Sequence, residues 1–528
     1  MTGPADSPQA APRRLRGTQP LLIVAALALM SGLLTFLAFP PADICWLAWV
    51  GLVPLALALS QLRPAQGFLV GWGFGVVLMA GINSFMGMFG SLPLAAAALA
   101  FGLFYGIFGL AVAALGPLKI LPLRVAGIAA AWTLTEMARG SAGPIAYTFG
   151  HIAYTQHDML PILQLASLAG AYGVGFFIAL VNAALGTLLL AFLPDTWYRP
   201  SERTYFIRDA GRTMLGVYVL LFVTYVWGAL VIHAVPKPAP DTARLRVAAV
   251  QANVSLSTPA QWEEVQEAID AYIEMSQDLP GDLGLVVWPE TAVGLDPGAD
   301  RSVAQRLRLL ARTIGAQMLI GALEVSNGCL YNSAYFLSSR GNVRGTYRKM
   351  NLVMFGEYVP MRGRWKFLDR YPIRGQDFSA GTRRVVMDVS GLSLGPLICF
   401  EAIFPGPTRE VSRLGADVIV ILNSDAWAEG TAEVLHNSYT APLRAVEARR
   451  CLVRAASTGI SAVYDPYGRP LSDVPAYTKG VAIADVYARH GLSTYHRLGD
   501  WPLLSVCILL LLAGLVKACA SGRVPHAV

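Results

Sequence analysis

Three polar side chains of different chemistry follow apolar stretches that read as β-strands. Cys399 comes directly after the apolar run 392–398, and Glu290 and Lys349 closely follow two other such runs. In an open α/β sheet, residues just past the carboxyl ends of strands line the active-site crevice. A thiol, a carboxylate and an ammonium supply a nucleophile, a base and an electrostatic stabiliser. The pattern therefore predicts a nucleophilic catalytic site at these strand ends.

Each of the three also has an ordinary structural interpretation. Free cysteine is among the most buried residue types, so Cys399 alone would also fit a packed core. An exposed Glu or Lys after a strand is common. Their joint occurrence favours catalysis. The six cysteines form no Cys-x-x-Cys pair, and there is no His/Cys cluster, so we expect neither a zinc site nor any other metal or cofactor.

The elements that must hold these residues alternate between strands and helices from Leu245 onward, which is typical of an α/β domain. The predicted helices cover 259–276, 302–314 and 431–448. The predicted strands cover 245–250, 285–288, 317–324, 330–338, 343–347, 392–398, 418–423, 452–456, 460–464 and 481–486.

The rest of the chain has a membrane composition. The 528 residues are 55% hydrophobic and only 14% charged, whereas soluble domains carry about 25% charged residues. Apolar segments near the length of a spanning helix occur at 20–39, 43–61, 66–88, 92–116, 121–138, 160–193 and 214–235, and another at 501–516. The sequence therefore predicts a bundle of eight transmembrane helices.

Basic residues set the predicted orientation. They fall in the loops that lie on one side when eight helices are threaded in order. The net charge of +7 is thus no sign of nucleic-acid binding. We predict a cytoplasmic tail at 1–19, helices 1–7 at 20–236, an extracytoplasmic domain at 237–499, helix 8 at 500–518 and a cytoplasmic tail at 519–528.

Several charged residues outside the predicted site were interpreted as structural. Glu136 lies one turn from Arg139, which predicts an ion pair at the membrane interface, and His151 is expected to be a structural hydrogen-bonding residue. The helix at 431–448 carries Arg444, Glu447 and Arg450 at i,i+3 spacing, which predicts surface ion pairing.

Motifs along the chain resemble those of known families. The stretches VVWPE, YRKMNLVMFGE and LICFE resemble the nitrilase superfamily, whose members carry Glu, Lys and Cys in that order on an α-β-β-α sandwich. With such a domain placed before the last of eight membrane helices, the chain is similar to the apolipoprotein N-acyltransferases of bacterial envelopes. FPPADICWLAW, VAAVQANV and VRAASTGISAVYDPYGR extend this resemblance over nearly the whole chain.

The resemblance implies roles for named residues. Cys399 would be the nucleophile, Glu290 the general base, and Lys349 the cation that stabilises the oxyanion. Further residues would support the site or contact substrates: Glu357, Glu401, Phe400 and Trp288 as support, with Trp288 walling the pocket, and Trp262 and Trp427 at a membrane-facing entrance. For the tryptophans, plain anchoring at the membrane interface is the alternative. The segment 358–375, with Trp365, Phe367 and Tyr371, is a candidate membrane-dipping arm.

The implied reaction moves an acyl chain from a phospholipid, through a cysteine thioester, to the N-terminal amine of the S-diacylglyceryl cysteine of an apolipoprotein. The protein would be a monomer in the bacterial inner membrane, with its catalytic domain on the periplasmic side. A membrane-tethered nitrilase or amidase is the main alternative, and a non-catalytic scaffold or transporter is another. Departures from the family pattern at Met354, Phe400, Ala428 and Glu429 leave open a divergent acyltransferase with another acceptor.

Overall fold

The computed structural model describes residues 21–60, 62–193, 203–234, 239, 241–255, 261–362, 364 and 377–522. Trp365, Phe367 and Tyr371 of the predicted arm lie outside these ranges. Two parts can be distinguished. The helical part comprises residues 21–234 together with the last helix, and the α/β domain comprises residues 241–499.

The helical part consists mainly of long apolar helices. Their bounds are α1 Leu21–Leu37, α2 Val53–Leu59, α3 Pro64–Ile82, α4 Ser91–Leu115, α5 Leu121–Gly140, α6 Leu160–Leu163, α7 Ala166–Leu190 and α8 Arg203–His233. Within the described ranges, five helices are long and apolar enough to cross a membrane: α3, α4, α7, α8 and the last helix over Trp501–Ser521. The multi-pass character predicted from hydropathy is therefore present.

The second predicted span differs from a single helix. In place of the predicted span 43–61, the described residues form a short 3₁₀ helix, Cys45–Trp49, and then α2, which has Pro54 in its first turn. Proline lacks the N–H that a continuing helix would need and favours a new helix start. α1, at 17 residues, and the Cys45–Leu59 segment are both shorter than the other apolar helices.

The α/β domain is built from two six-stranded sheets. Its strands are β1 Arg244–Gln251, β2 Leu285–Val287, β3 Gln317–Ser326, β4 Cys329–Leu337, β5 Val343–Arg348, β6 Met387–Val389, β7 Leu392–Ile398, β8 Val418–Asn423, β9 Cys451–Ala456, β10 Ser461–Tyr464, β11 Pro470–Val474 and β12 Gly480–Tyr487. The first sheet has the order β12-β1-β2-β3-β4-β5 and the second β11-β10-β9-β8-β7-β6.

Helices cover the outer faces of both sheets. The helices of this domain are α9 Trp262–Gln277, α10 Arg301–Ile314, α11 Pro405–Arg413, α12 Glu433–Ser438, α13 Thr440–Ala448 and α14 Thr494–Leu498, and α15 Trp501–Gly522 returns to the helical part. Helices α9 and α10 pack on the first sheet, and α11 and α13 on the second. A third apolar core lies between the two sheets. The predicted α-β-β-α sandwich is therefore confirmed.

The predicted ion pair between Glu136 and Arg139 is wrong. Glu136 accepts a hydrogen bond from Ile152 N (2.9 Å) and faces His151 Nε2 at 3.3 Å, while Arg139 donates to a backbone carbonyl. His151 is structural, as predicted, because its Nδ1 accepts from Ala153 N. The loop 141–159 folds back over α5, and this brings His151 to Glu136.

The pair in α13 is buried rather than exposed. Arg444 Nη1 lies 2.5 Å from Glu447 Oε2, and both side chains are fully inaccessible to solvent. Helix α13 packs against α7, so this face of α13 lies between the α/β domain and the helical part. Glu447 Oε1 also accepts from Ala171 N of α7 at 2.7 Å. The i,i+3 spacing predicted the Arg444–Glu447 pair correctly, but helix packing decided its burial. The predicted partner of Arg450 is wrong, because its guanidinium donates to Ala416 O and Gly491 O.

Candidate active site

The three predicted catalytic residues all follow strand ends. Strand β2 is parallel to β3, and β4 runs antiparallel to both β3 and β5. β2 and β5 therefore point the same way, and Glu290 and Lys349 leave the first sheet at the same edge. Cys399 leaves the second sheet directly after β7. The sandwich thus brings residues from two sheets towards one site.

Glu290 is held close against the first sheet. An added Cβ on Gly321 of β3 would lie 2.2 Å from Pro289 O and 2.6 Å from Glu290 Cα. Only glycine at this position lets the backbone of the glutamate segment lie so close to the strand. On its other side, Glu290 Oε2 accepts from Ser424 N at 2.9 Å. The buried carboxylate is therefore fixed between the two sheets.

The ammonium of Lys349 bridges two carboxylates. Lys349 Nζ lies 2.9 Å from Glu290 Oε1 and 3.0 Å from Glu357 Oε1, and the lysine is only 1% exposed. Burial lowers the pKa of Lys349, but the two carboxylates raise it more, so the pKa lies well above its usual value. Lys349 is thus a permanent buried cation. The structure thus brings Glu290, Lys349 and Glu357 into contact.

Asn332 of β4 joins this cluster and was not predicted. Its Nδ2 donates to Glu290 Oε1 at 2.6 Å and to Glu357 Oε1 at 3.0 Å, and its backbone carbonyl accepts from Lys349 N. One amide therefore orients both carboxylates that contact the lysine. In the sequence, Asn332 is an amide residue within an apolar strand. A single sequence does not show whether such a residue is buried, as here, or faces outward.

Cys399 has an unusual backbone conformation and a buried thiol. It is 6% exposed and adopts a left-handed conformation with φ of +48°, a conformation that non-glycine residues rarely take. Burial raises the pKa of the thiol well above its usual value, the Glu290 carboxylate raises it further, and the Lys349 cation lowers it. The thiol therefore keeps its proton until a base removes it.

Glu401 connects the cysteine turn to the lysine loop. Its carboxylate accepts from Ile398 N (2.9 Å), Met350 N (2.9 Å) and Asn351 N (3.1 Å), and it also pairs with Arg384. The side chain is fully buried. It orders the backbone on both sides of the site, which is consistent with the predicted supporting role.

A second buried carboxyl lies near the site. Glu433 is 2% exposed, and its Oε2 has no hydrogen-bond partner among the residues that the structure describes. Burial, followed by the charge of Asp425, raises its pKa well above the usual value. Asp425 itself pairs with Arg454 at 3.0 Å. Sequence inspection did not single out these residues, because they meet only after β8, α12 and β9 assemble.

The predicted tryptophans lie in different places. The prediction for Trp288 is wrong: its indole is fully buried on the other face of the first sheet, where Nε1 donates to Ser276 Oγ and the ring packs 5.2 Å from Tyr272. Strand alternation places Val287 between the sheets and Trp288 under α9. Trp262 begins α9 and is 56% exposed, and Trp427 packs edge-on against Phe85 of the helical part. Their entrance role remains a prediction.

A cavity of about 1060 Å³ adjoins the site where the two parts meet. Met350, Asn351 and Phe400 line it from the catalytic loops, and Tyr172 and Leu504 line it from the helical part. It is large enough for a drug-sized ligand. Both parts of the chain are therefore needed to form it.

Comparison with known proteins agrees with this architecture. The carbon-nitrogen hydrolase family model matches residues 246–490, and the model of the apolipoprotein N-acyltransferase N-terminal domain matches residues 31–184. The apolipoprotein N-acyltransferase of Geobacter metallireducens is 31% identical, covering 90% of this chain and 91% of its own. The chain belongs to the apolipoprotein N-acyltransferase family. The enzyme of that name from Pseudomonas putida is also 31% identical, with 92% and 95% covered.

Membership in this family confirms the resemblance seen in the motifs. The two matched regions lie within the α/β domain and the helical part, respectively. Among solved structures, an amidase from Nesterenkonia sp. AN1 is 19% identical and covers 51% of this chain and 98% of its own, with a TM-score of 0.38.

Proposed function

We propose that this protein transfers an acyl chain from a phospholipid to the N-terminal amine of the S-diacylglyceryl cysteine of an apolipoprotein, with a thioester on Cys399 as the intermediate. Family membership supports these donor and acceptor classes. The observation that carries the proposal is the buried ammonium of Lys349, which Glu290 and Glu357 hold in place. Strand β7, which Cys399 directly follows, ends at the same site.

The first half-reaction forms the thioester. Glu290 accepts the thiol proton of Cys399, and Sγ attacks the ester carbonyl carbon of the phospholipid. Lys349 and the backbone N–H of Phe400 stabilise the oxyanion, and removal of one such donor typically costs about 10²–10³ in rate. The C–O bond then breaks, and the lysophospholipid leaves with the proton that Glu290 held. The raised pKa of the thiol explains why a base is required.

The second half-reaction forms the amide. The acceptor amine attacks the thioester carbonyl, and Glu290 accepts a proton from its nitrogen. The C–S bond breaks, and the sulfur regains a proton from Glu290. The enzyme returns to its starting state with an amide product, so two products leave in sequence and ping-pong kinetics follow.

The membrane arrangement follows from the same proposal. We place eight transmembrane helices over 20–236 and 500–518, with the catalytic domain at 237–499 on the periplasmic side of the inner membrane. The five long apolar helices and the basic loops support this arrangement. The cavity between the α/β domain and α5, α7 and α15 would then lie near the bilayer surface, where a lipid ester can enter.

Intact-mass analysis tests the proposal. Wild-type protein incubated with phospholipid should gain the mass of one acyl chain, and Cys399→Ser should not. Cys329→Ser is the matched control, because Cys329 is also a free thiol but lies at the start of β4, and it should gain the acyl mass normally. A diacylated lipopeptide should then remove the acyl group and become N-acylated.

Other outcomes separate the alternatives. Release of free fatty acid or ammonia without acylated lipopeptide would identify a hydrolase or amidase. Acylation of Cys399 without transfer to the lipopeptide, but with transfer to another amine, would identify a divergent acyltransferase. No acyl adduct in the wild type would refute the thioester mechanism.

A further inference from the structure

The turn that carries the cysteine spans the boundary between the two parts of the protein. Residues Cys399–Ile403 form a single 3₁₀ turn after β7. Cys399 belongs to the apolar core between the sheets, whereas Ile403 is fully buried in the core of the helical part. Phe400 and Phe404 also pack against that helical core. The position of the turn therefore depends on both parts.

The last carbonyl of this turn is held by two side chains of the helical part. Ile403 O accepts from Thr148 Oγ1 at 2.9 Å and from Tyr154 OH at 2.7 Å. Both donors lie in the loop after α5 and are almost fully buried, at 2% and 5% exposure. A buried carbonyl oxygen has two lone pairs, so this pair of donors satisfies it completely.

The Tyr154 hydroxyl is itself oriented by a buried charge. Arg444 Nη2 donates to Tyr154 OH at 3.2 Å, and Arg444 is paired with Glu447. Because the hydroxyl oxygen accepts from the arginine, its own proton is directed to Ile403. Glu447 also binds Ala171 N of α7. A continuous chain of hydrogen bonds thus connects α7 to the cysteine turn.

The turn needs such support. The left-handed backbone of Cys399 (φ +48°) is costly for a non-glycine residue and persists only where the surroundings hold it. Glu401 holds the side of the turn that faces the lysine loop. On the opposite side the anchors are Thr148 and Tyr154.

We infer that Thr148 and Tyr154 are positioning residues for the nucleophile: through Ile403 O, the helical part fixes the Cys399 thiol relative to Glu290 and Lys349 for the acylation step. This inference rests on the proposed function. A misplacement of about 1 Å at the reacting atoms can cost about 10²-fold in rate. The two hydroxyls would therefore affect chemistry although neither touches the substrate.

Isosteric variants of the full-length protein test this. Thr148→Val and Tyr154→Phe each remove one hydroxyl, and Thr148→Ser keeps the donor. Thr135→Val is the matched control, since the Thr135 hydroxyl is buried and, among the described residues, bonds only to Ala131 O within α5. The measurements are the single-turnover rate of acyl-Cys399 formation, the KM for phospholipid, the melting temperature, and the rate at which iodoacetamide alkylates Cys399.

Removing Thr148 Oγ1 or Tyr154 OH alone should lower the acylation rate about tenfold, which corresponds to the loss of one hydrogen bond of roughly 1.4 kcal/mol. The double variant should lower the rate about 10²-fold. The KM should stay within about twofold, since neither residue lines the cavity. Alkylation should become faster because a loosened turn exposes the buried thiol. Thr148→Ser and Thr135→Val should behave like the wild type.

The outcomes are separable. If the wild type forms the acyl-enzyme and Thr148→Val and Tyr154→Phe form it at the same rate, the inference is overturned while the proposed function stands, even if melting temperatures fall. If the wild type forms no acyl-enzyme, the proposed function fails, and unchanged alkylation rates in the variants would then overturn the positioning role as well. Should Tyr154→Phe not fold, the comparison of Thr148→Val with Thr148→Ser still decides.

Discussion

Replacing Lys349 by methionine removes the buried cation at the centre of the candidate site, and the structure allows the loss of stability to be worked out. Methionine has a similar length and no charge. The change leaves Glu290 and Glu357, which lie 2.9 Å and 3.0 Å from the ammonium, without their common cation. Both carboxylates would still share the Asn332 amide. Two like charges would then be buried side by side.

The expected cost is large. Removing one partner of a buried ion pair typically costs about 3–5 kcal/mol, because the remaining charge is uncompensated. At roughly 2–4 °C per kcal/mol for a domain of this size, the melting temperature should fall by about 10 °C. Adding Glu357→Gln removes one of the two carboxylates. The double variant should therefore recover at least about half of the loss, which is a non-additive effect.

Thermal unfolding of the purified protein in detergent measures this loss of stability. The wild type, Lys349→Met, Glu357→Gln and the double variant are compared in the same buffer. Lys479→Met makes the same substitution at an exposed lysine and should change the melting temperature by no more than about 1 °C. All variants at position 349 should lack acyl transfer. The reasoning fails if Lys349→Met melts like Lys479→Met, or if the double variant is no more stable than Lys349→Met alone.

Two pH-dependent predictions follow from buried groups. The pKa of the Cys399 thiol is raised well above its usual value by burial and by Glu290. Alkylation by iodoacetamide should therefore still accelerate beyond about pH 9.5, and a plateau at or below about pH 9.5 would contradict this. Burial lowers the pKa of His436 from 6.5 to about 4. The unfolded chain therefore binds a proton at His436 more readily than the folded protein does. The free energy of unfolding that is present above pH 6.5 is lost as the pH falls, by up to about 3 kcal/mol near pH 4. His436→Gln should reduce this acid-induced loss in denaturant unfolding, and equal losses in both proteins would disprove it.

Much of the candidate site could be predicted because its signals are local. A run of apolar residues such as Leu392–Ile398 predicts a buried strand, and the residue after it must lie at a sheet edge. Glu290, Lys349 and Cys399 were found in this way, and the motif around Lys349 included Glu357. The segments that connect the strands separate these residues in sequence but do not change their positions at the strand ends.

What the chain could not reveal by itself was which elements meet. Trp288 follows a strand as Glu290 does, but strand alternation turns its ring under α9. Asn332 contacts Glu290 only because β4 lies beside β3 and β5. Hydrophobic periodicity extends over only a few residues, so a single sequence indicates where strands end but not which strands lie side by side.

The hydrogen bonds from Thr148 and Tyr154 to Ile403 join residues 255 and 249 positions apart. Such contacts exist only once the helical part and the α/β domain have packed together, because each donor and acceptor finds its partner in another element. The amino-acid sequence therefore determined the types and approximate places of the reactive groups. Tertiary packing alone decided their partners, their burial and the support of the nucleophile.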